Sequence, residues 1–437
     1  MKIAFVVSFF DFRNDVRRVI AEVARQHQVV VLGRTEHMAS IQKHVPAGVE
    51  LRQIAEKKRT IRNAIWERLY LLLRRIPRSR SNFFLMELFK ASNQPTAKSK
   101  SRAMSLLRWM QRLPKIISYD FYLDRLRYQS LTELDDIDLV ICFTAIADDY
   151  LLARLIREQK PVRVYVYSWD HPCKHTCFSR RVQYACWSEE IREDIVSLQN
   201  IPSGQIAVTG ASQFGYIHAY RQADALPVGY PFRYVYFGCA IGIPELVPDE
   251  LRLVTTLAQS LQAVQPGWKL LVRPYPVLTD WTPYEALRSL PNVVFDDAFR
   301  TQDSSVQEEA ILQKYATIER AEAFFHLGTT MGLEACFTNA PSFVLDFGYT
   351  TSEGLSLYNF IHQYQNDRHL INLAPQNAIR SEENLREVLG HLTAPAFKDL
   401  NRAVQKEYTL KSFEAFAGDL TGQTGAFSIR VSDTKIR

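Results

Sequence analysis

The sequence predicts an α/β protein of two doubly wound parallel-sheet domains facing each other across a cleft. Three observations lead there. Short apolar runs of strand length alternate with segments of helical period through most of the chain. The alternation runs twice, with an interruption at 211–231 where Pro227, Gly229 and Pro231 act as breakers. At 437 residues the chain also exceeds what one hydrophobic core ordinarily serves.

The first domain is placed at 1–215. KIAFVVSFF is a run fit for a buried parallel strand. Residues 15–27 follow with helical spacing, Val16, Val19, Ile20, Val23 and Ala24 sharing a side. QVVVLGRT and VELRQIA read as strands, and a basic insertion at about 56–128 interrupts the pattern. It resumes with strand DLVICFT, a helix over 148–159, and strands VRVYVYS and YACWS. A helix over 188–200 comes next, with Ser188 as N-cap and Glu189 and Glu190 in its first turn, and IAVTG closes the domain. The second domain is placed at 232–397. Its strands are RYVYFGC, KLLVRPYP, NVVFDD, the two flanking GTTMG, and HLINLA; its helices cover 249–264, 306–322 and 382–392. A C-terminal helix at 398–418 and a flexible tail at 419–437 complete the map.

Composition narrows the function. Hydrophobic residues at 47% and charged residues at 23% are those of a soluble globular protein. The six dispersed cysteines read as reduced thiols rather than a disulfide framework. MKIAFVVSFF runs straight into Asp11, Arg13, Asn14 and Asp15 with no cleavage signal, and no apolar run approaches ~20 residues. The expected location is therefore the cytoplasm. Net charge is only +6, yet residues 52–128 hold 19 Lys/Arg against 5 Asp/Glu, so the remainder is net acidic by 8. Ile61, Ile65, Leu69, Leu72 and Ile76 recur there at helical spacing among Arg62, Arg68, Arg74 and Arg75, with Trp66 and Tyr70 nearby. This mixture predicts a helix lying on an anionic membrane surface, through Arg62, Trp66, Arg74 and Arg75, on the inner face of the cell membrane. A solvated basic face over ordinary core is the plainer reading. No nucleic-acid-binding module is recognisable, and no nucleic acid is expected as partner.

The strongest local signal is residues 323–347, AFFHLGTTMGLEACFTNAPSFVLDF. It reads as strand, turn, short helix and strand, with Gly328, Thr329, Thr330, Met331 and Gly332 in the turn and Glu334 in the helix's first turn. Glycines let a ligand approach the backbone, and a helix N-terminus aims amides at an anion. Arg273, ending KLLVRPYP, adds a bidentate phosphate donor, Tyr275 a ring to stack on a base, and His326 a polar group two residues before the turn. The plain alternatives are a strand–helix connection needing glycine, a structural ion pair at Arg273, a packed Tyr275 and a buried His326 bonded to backbone.

The paired halves, the segments RPYP and SWDHP…YACWSEEIREDI…IPSGQIAVTGASQF, and GTTMGLEA followed by NAPSFVLDF resemble the GT-B glycosyltransferases, in particular bacterial surface-polysaccharide transferases, with CDP-glycerol transferases as relatives. The resemblance implies two Rossmann-like domains, a nucleotide-sugar donor bound by the second, a glycan or glycolipid acceptor bound by the first, and no cofactor. Retaining members carry two glutamates with seven residues between them; the matching positions around Glu334 are His326 and Ser342, which speaks against a retaining reaction and for an inverting one, and no metal is expected. Transfer to a hydroxyl needs a base. Asp170 in SWDHP, then Asp11, then Asp15 are the candidates, Asp15 also suiting a helix cap. His171, Cys173, His175 and Cys177 alternate as if on one side of an extended segment, a row that cannot surround a zinc ion. Asp136 and Asp138 read as the start of a strand rather than a metal site. Two rival readings share the scaffold, a nucleotide-sugar 2-epimerase and a non-catalytic membrane or nucleic-acid binding module.

Overall fold

The computed structural model describes residues 1–7, 14–54, 60–74, 102, 105–106, 109, 117–128, 132–143, 148–174, 178–223, 226, 229–241, 247–275, 281–296, 308–347, 365–423 and 427. The chain divides into two compact units, one of residues 1–78, 106–216 and 409–437, the other of 79–105 and 217–408.

The first unit holds β1 (Lys2–Val6), β2 (Gln28–Gly33), β3 (Glu50–Gln53), β4 (Leu139–Cys142), β5 (Val162–Tyr165), β6 (Gln183–Cys186) and β7 (Ile206–Val208) in the order β3-β2-β1-β4-β5-β6-β7. Every pairing is parallel, and Phe5 lies level with Val31 and Ile141. Ile3, Ala4 and Phe5 are wholly buried, which is why this strand reads as a continuous apolar run. The helix Asn14–Ala24 buries Val16, Val19, Ile20 and Val23. Ser188 caps the helix Glu189–Gln199 by accepting from the Ile191 amide, and Asn200 ends it in the left-handed conformation. The helix Phe413–Thr421 returns to this unit and packs on Asn14–Ala24. Phe416 stands edge-on to Tyr165 at 5.1 Å, and Arg163 Nη1 donates to the Leu420 carbonyl at 2.9 Å.

The second unit holds β8 (Tyr234–Gly238), β9 (Lys269–Arg273), β10 (Val293–Phe295), β11 (Phe324–His326), β12 (Ser342–Leu345) and β13 (Ala378–Ile379), all parallel, in the order β10-β9-β8-β11-β12-β13. The expected two doubly wound sheets are therefore present.

Several elements differ from the sequence reading. HLINLA is not a strand but the end of the helix Gln365–Leu373. Leu370 and Ile371 are buried within it and Ala374 just past its end, a spacing that suits a helix face, and the sheet's edge is supplied by the two-residue β13. The single helix expected at 398–418 is two, Asp399–Glu407 and Phe413–Thr421, joined by a stretch that passes from the second unit to the first. The breaker-rich connection at 211–231 contains a helix, Phe214–Gln222. His171–Lys174 is a helical turn rather than part of an extended row; His175 and Cys177 lie outside the described residues. Asp136 and Asp138 sit where β4 begins. Asp136 is paired with Lys2 and Arg52, and Asp138 accepts from the Lys2 amide at 2.8 Å.

Candidate functional site

The winding of the second sheet selects its own candidate site. After β8 the chain adds β9 and β10 on one flank, then returns to add β11, β12 and β13 on the other. β8 and β11 are thus neighbours whose onward connections diverge, and the crevice beyond their carboxyl ends is where such sheets bind ligands. Gly238 ends β8 and lies level with Arg273 of β9 and His326 of β11. A Cβ on Gly238 would stand 3.1 Å from Phe324 Cζ and 3.2 Å from Met331 Sδ, so the glycine admits Met331 over the strand end.

The turn after β11 is shaped from beneath. Gly328 has φ +70°, a conformation that favours glycine. Its amide donates to Nδ1 of His326 at 3.0 Å, which leaves the ring proton on Nε2, 3.1 Å from Ser342 Oγ. The ring is fully buried, and burial pushes its pKa down to about 3, so it is neutral. A Cβ on Gly332 would fall 2.3 Å from that ring. His326 is therefore the platform on which the turn rests, with both nitrogens occupied. Thr329 caps the helix Thr330–Ala335 by accepting from the Gly332 amide at 3.2 Å. The amides of Gly328 and Gly332 are thus satisfied within the turn. Those of Thr330 and Met331 occupy the helix's first two positions, where no intrahelical acceptor exists. Thr329, Thr330 and Met331 are half-buried.

Behind the turn lies a cluster of four charged side chains. Arg273 Nη1 reaches Asp296 Oδ2 at 3.3 Å, and Tyr236 donates its hydroxyl to the same oxygen. Lys314, on the helix Glu308–Glu319, donates to Glu334 Oε2 at 2.6 Å, while the Tyr315 hydroxyl donates to Oε1 at 3.1 Å. Burial lowers the Lys314 pKa; Glu334 opposes the shift and the charge of Arg273 adds to it, so the two cations share one neighbourhood. Glu334 is the fifth residue of its helix, not in the first turn as the sequence suggested, and its carboxylate is held by Lys314 and Tyr315. Tyr275 is half-buried two residues past β9.

Sequence reasoning missed Asp296, Lys314 and Glu250. Lys314 carries no pattern that separates it from an ordinary solvent-facing helix lysine. Glu250, on the helix Val247–Val264, is wholly buried; it accepts from the Ala240 amide at 2.6 Å, the Ile241 amide at 3.3 Å and the Tyr284 hydroxyl at 3.1 Å. It clamps the segment leaving β8. Burial pushes its pKa up to about 7 against the pull of those donors.

The remaining predicted residues belong to the first unit. Asp170 follows β5 and accepts from Ser168 Oγ at 2.7 Å; it is half-buried. Asp15 is buried, with the Tyr167 hydroxyl on one oxygen at 2.9 Å and Ser212 Oγ on the other at 2.5 Å, so it ties the first helix to the segments after β5 and β7. Asp11 lies outside the described residues, as does Arg75. Arg62 is exposed, Trp66 packs on Phe121 at 5.9 Å, and Arg74 bridges to Ile117. No helix among the described residues is long and apolar enough to cross a membrane.

No protein-family model matches the chain, and no curated protein does. Solved structures are similar in fold. UDP-GlcNAc 2-epimerase from Methanocaldococcus jannaschii has a TM-score of 0.51 at 9% identity, covering 97% of this chain and 100% of that one. A putative UDP-N-acetylglucosamine 2-epimerase from Listeria monocytogenes has a TM-score of 0.50 at 10% identity, covering 100% and 98%. A calicheamicin glycosyltransferase has a TM-score of 0.48 at 12% identity, covering 99% of each chain. Identities this low speak for the fold: the chain has the GT-B architecture, two Rossmann-like parallel-sheet α/β domains.

Proposed function

We propose that the protein is a glycosyltransferase that moves a sugar from a nucleoside-diphosphate donor to a hydroxyl of a glycan or glycolipid acceptor. One observation carries this reading: two cations of low exposure, Arg273 and Lys314, gather behind a glycine turn at the switch point of the second sheet. A leaving diphosphate is the ligand that two such cations and the amides of Thr330 and Met331 would stabilise, and stabilising that charge is the largest task in the reaction. In the step, the acceptor oxygen bonds to the anomeric carbon while the bond from that carbon to the diphosphate oxygen breaks. The electron pair stays on the diphosphate. The acceptor proton passes to a carboxylate of the first unit, a role we assign to Asp170. The expected outcome is inversion without a metal ion. Tyr275 is assigned to the base, and Glu334 positions Lys314.

The test is calorimetric titration with UDP, CDP, GDP and dTDP. One of them should bind the full chain, and Lys314→Met/Glu334→Gln, which leaves no orphaned buried charge, should weaken it tenfold or more. Equal affinity in the double variant would remove the cluster from the donor site. Epimerisation of a nucleotide sugar is the second reading, since two proteins of similar fold bear the name UDP-GlcNAc 2-epimerase. It would convert the donor to an isomer with no acceptor present, and Asp170→Asn would leave that conversion intact while abolishing transfer.

A further inference from the structure

The helix Ile61–Leu73 buries polar and aromatic side chains and leaves several apolar ones exposed. Its inward side is polar and aromatic. Asn63 is buried and exchanges hydrogen bonds with the Arg127 backbone at 2.7 and 3.0 Å; Glu67 accepts from the Tyr150 hydroxyl at 2.5 Å; Tyr70 stacks on Tyr122 at 4.3 Å. Its outward side carries the apolar stripe. Ile61 is 84% exposed and Ile65 52%, with Leu71 also exposed, and Arg62 and Arg68 stand among them. Beside this helix Phe121 is exposed, and the Arg125 guanidinium lies over its ring at 4.7 Å. Trp109, 65% exposed, belongs to the same basic stretch. Among the described residues, every exposed large hydrophobic side chain except Met1 falls between positions 61 and 121. That interval lies within the segment where Lys and Arg exceed Asp and Glu by 14.

We infer that this face docks the protein on an anionic lipid bilayer. Isoleucine and leucine enter the acyl boundary while the long arginine side chains reach phosphate headgroups, the pattern of a helix lying in an interface. Charge complementarity selects an anionic surface, because each basic side chain near such a leaflet adds attraction and a neutral apolar partner would leave those charges desolvated. The face belongs to the first unit and the cluster at Arg273 to the second, so the inference stands independently of the transferase reading.

Flotation with vesicles tests it. The full chain should float with vesicles of phosphatidylcholine and phosphatidylglycerol and stay behind with phosphatidylcholine alone. Arg62→Glu/Arg68→Glu should weaken binding by roughly thirtyfold or more, and Ile61→Ser/Ile65→Ser by roughly tenfold or more, with unchanged melting temperatures. Should either pair lower the melting temperature, Phe121→Ser supplies the same comparison at an exposed position beside the helix. Failure of the wild-type chain to float, or equal flotation of the variants, overturns the inference. So does a dimer dissolved by Ile61→Ser/Ile65→Ser without vesicle binding, or retention on single-stranded RNA in place of vesicles. Nucleoside-diphosphate titration of the same variants should be unchanged.

Discussion

At Glu250 the folded protein holds a proton that the unfolded chain releases. The pKa is about 7 in place and 4.5 as the ordinary value, so the folded state binds more protons between those limits. The stability contributed by this group is then greatest below pH 4.5 and is lost as pH rises through 7, by roughly 3 kcal/mol in all. Glu250→Gln should flatten the dependence of melting temperature on pH between 5 and 8, and an unchanged slope would assign it to another group. His326 gives a second residue-scale test. Gly332→Ala forces a methyl group into the ring beneath it and should cost about 1–3 kcal/mol in urea unfolding. Adding His326→Ala should make the pair strongly non-additive, because the second change removes what the first collides with. The glycine turn was legible in the sequence, since glycine announces its geometry locally. Its support was not: whether His326 touches ligand or props the turn depends on what packs against it. The same holds for Lys314 and Glu250, whose burial is decided by how whole helices lie on the sheet.

Among the elements, the paired helices Asn14–Ala24 and Phe413–Thr421 bring together residues almost four hundred positions apart. Phe413 lies under both the first helix and the helix Phe214–Gln222: Arg18 stands over its ring at 5.7 Å, a Cβ on Gly215 would stand 2.7 Å from it, and Tyr216 meets it edge-on at 4.8 Å. Phe413→Ala should cost about 3–5 kcal/mol in urea unfolding of the first unit, and a loss below 1 would show that the seam does not hold the helix. Strands were the most legible elements, because a parallel strand buried on both sides reads as an unbroken apolar run. HLINLA was misread for the complementary reason: a short apolar run has no period of its own, and only its neighbours decide between strand and helix. The break at 408–412 was overlooked although Ser412 marks it, capping the second helix by accepting from the Ala415 amide.

For the molecule as a whole, charge is distributed as unevenly as apolar surface, and both extremes coincide in one segment. If that segment meets lipid through its charges, raising ionic strength from about 0.05 to about 0.5 M should release the protein from anionic vesicles, while an effect confined to apolar contact would survive the salt. The architecture alone names no reaction, since one scaffold serves many, and the functional argument therefore rests on particular side chains at particular strand ends. The return of Phe413–Thr421 to the first unit also has a temporal consequence. A ribosome delivers residues 217–408 before it delivers the helix that covers Asn14–Ala24. The domain translated first must wait, with part of its apolar surface bare, until its neighbour has emerged, so the nascent chain needs protection longest at the end that left the tunnel earliest.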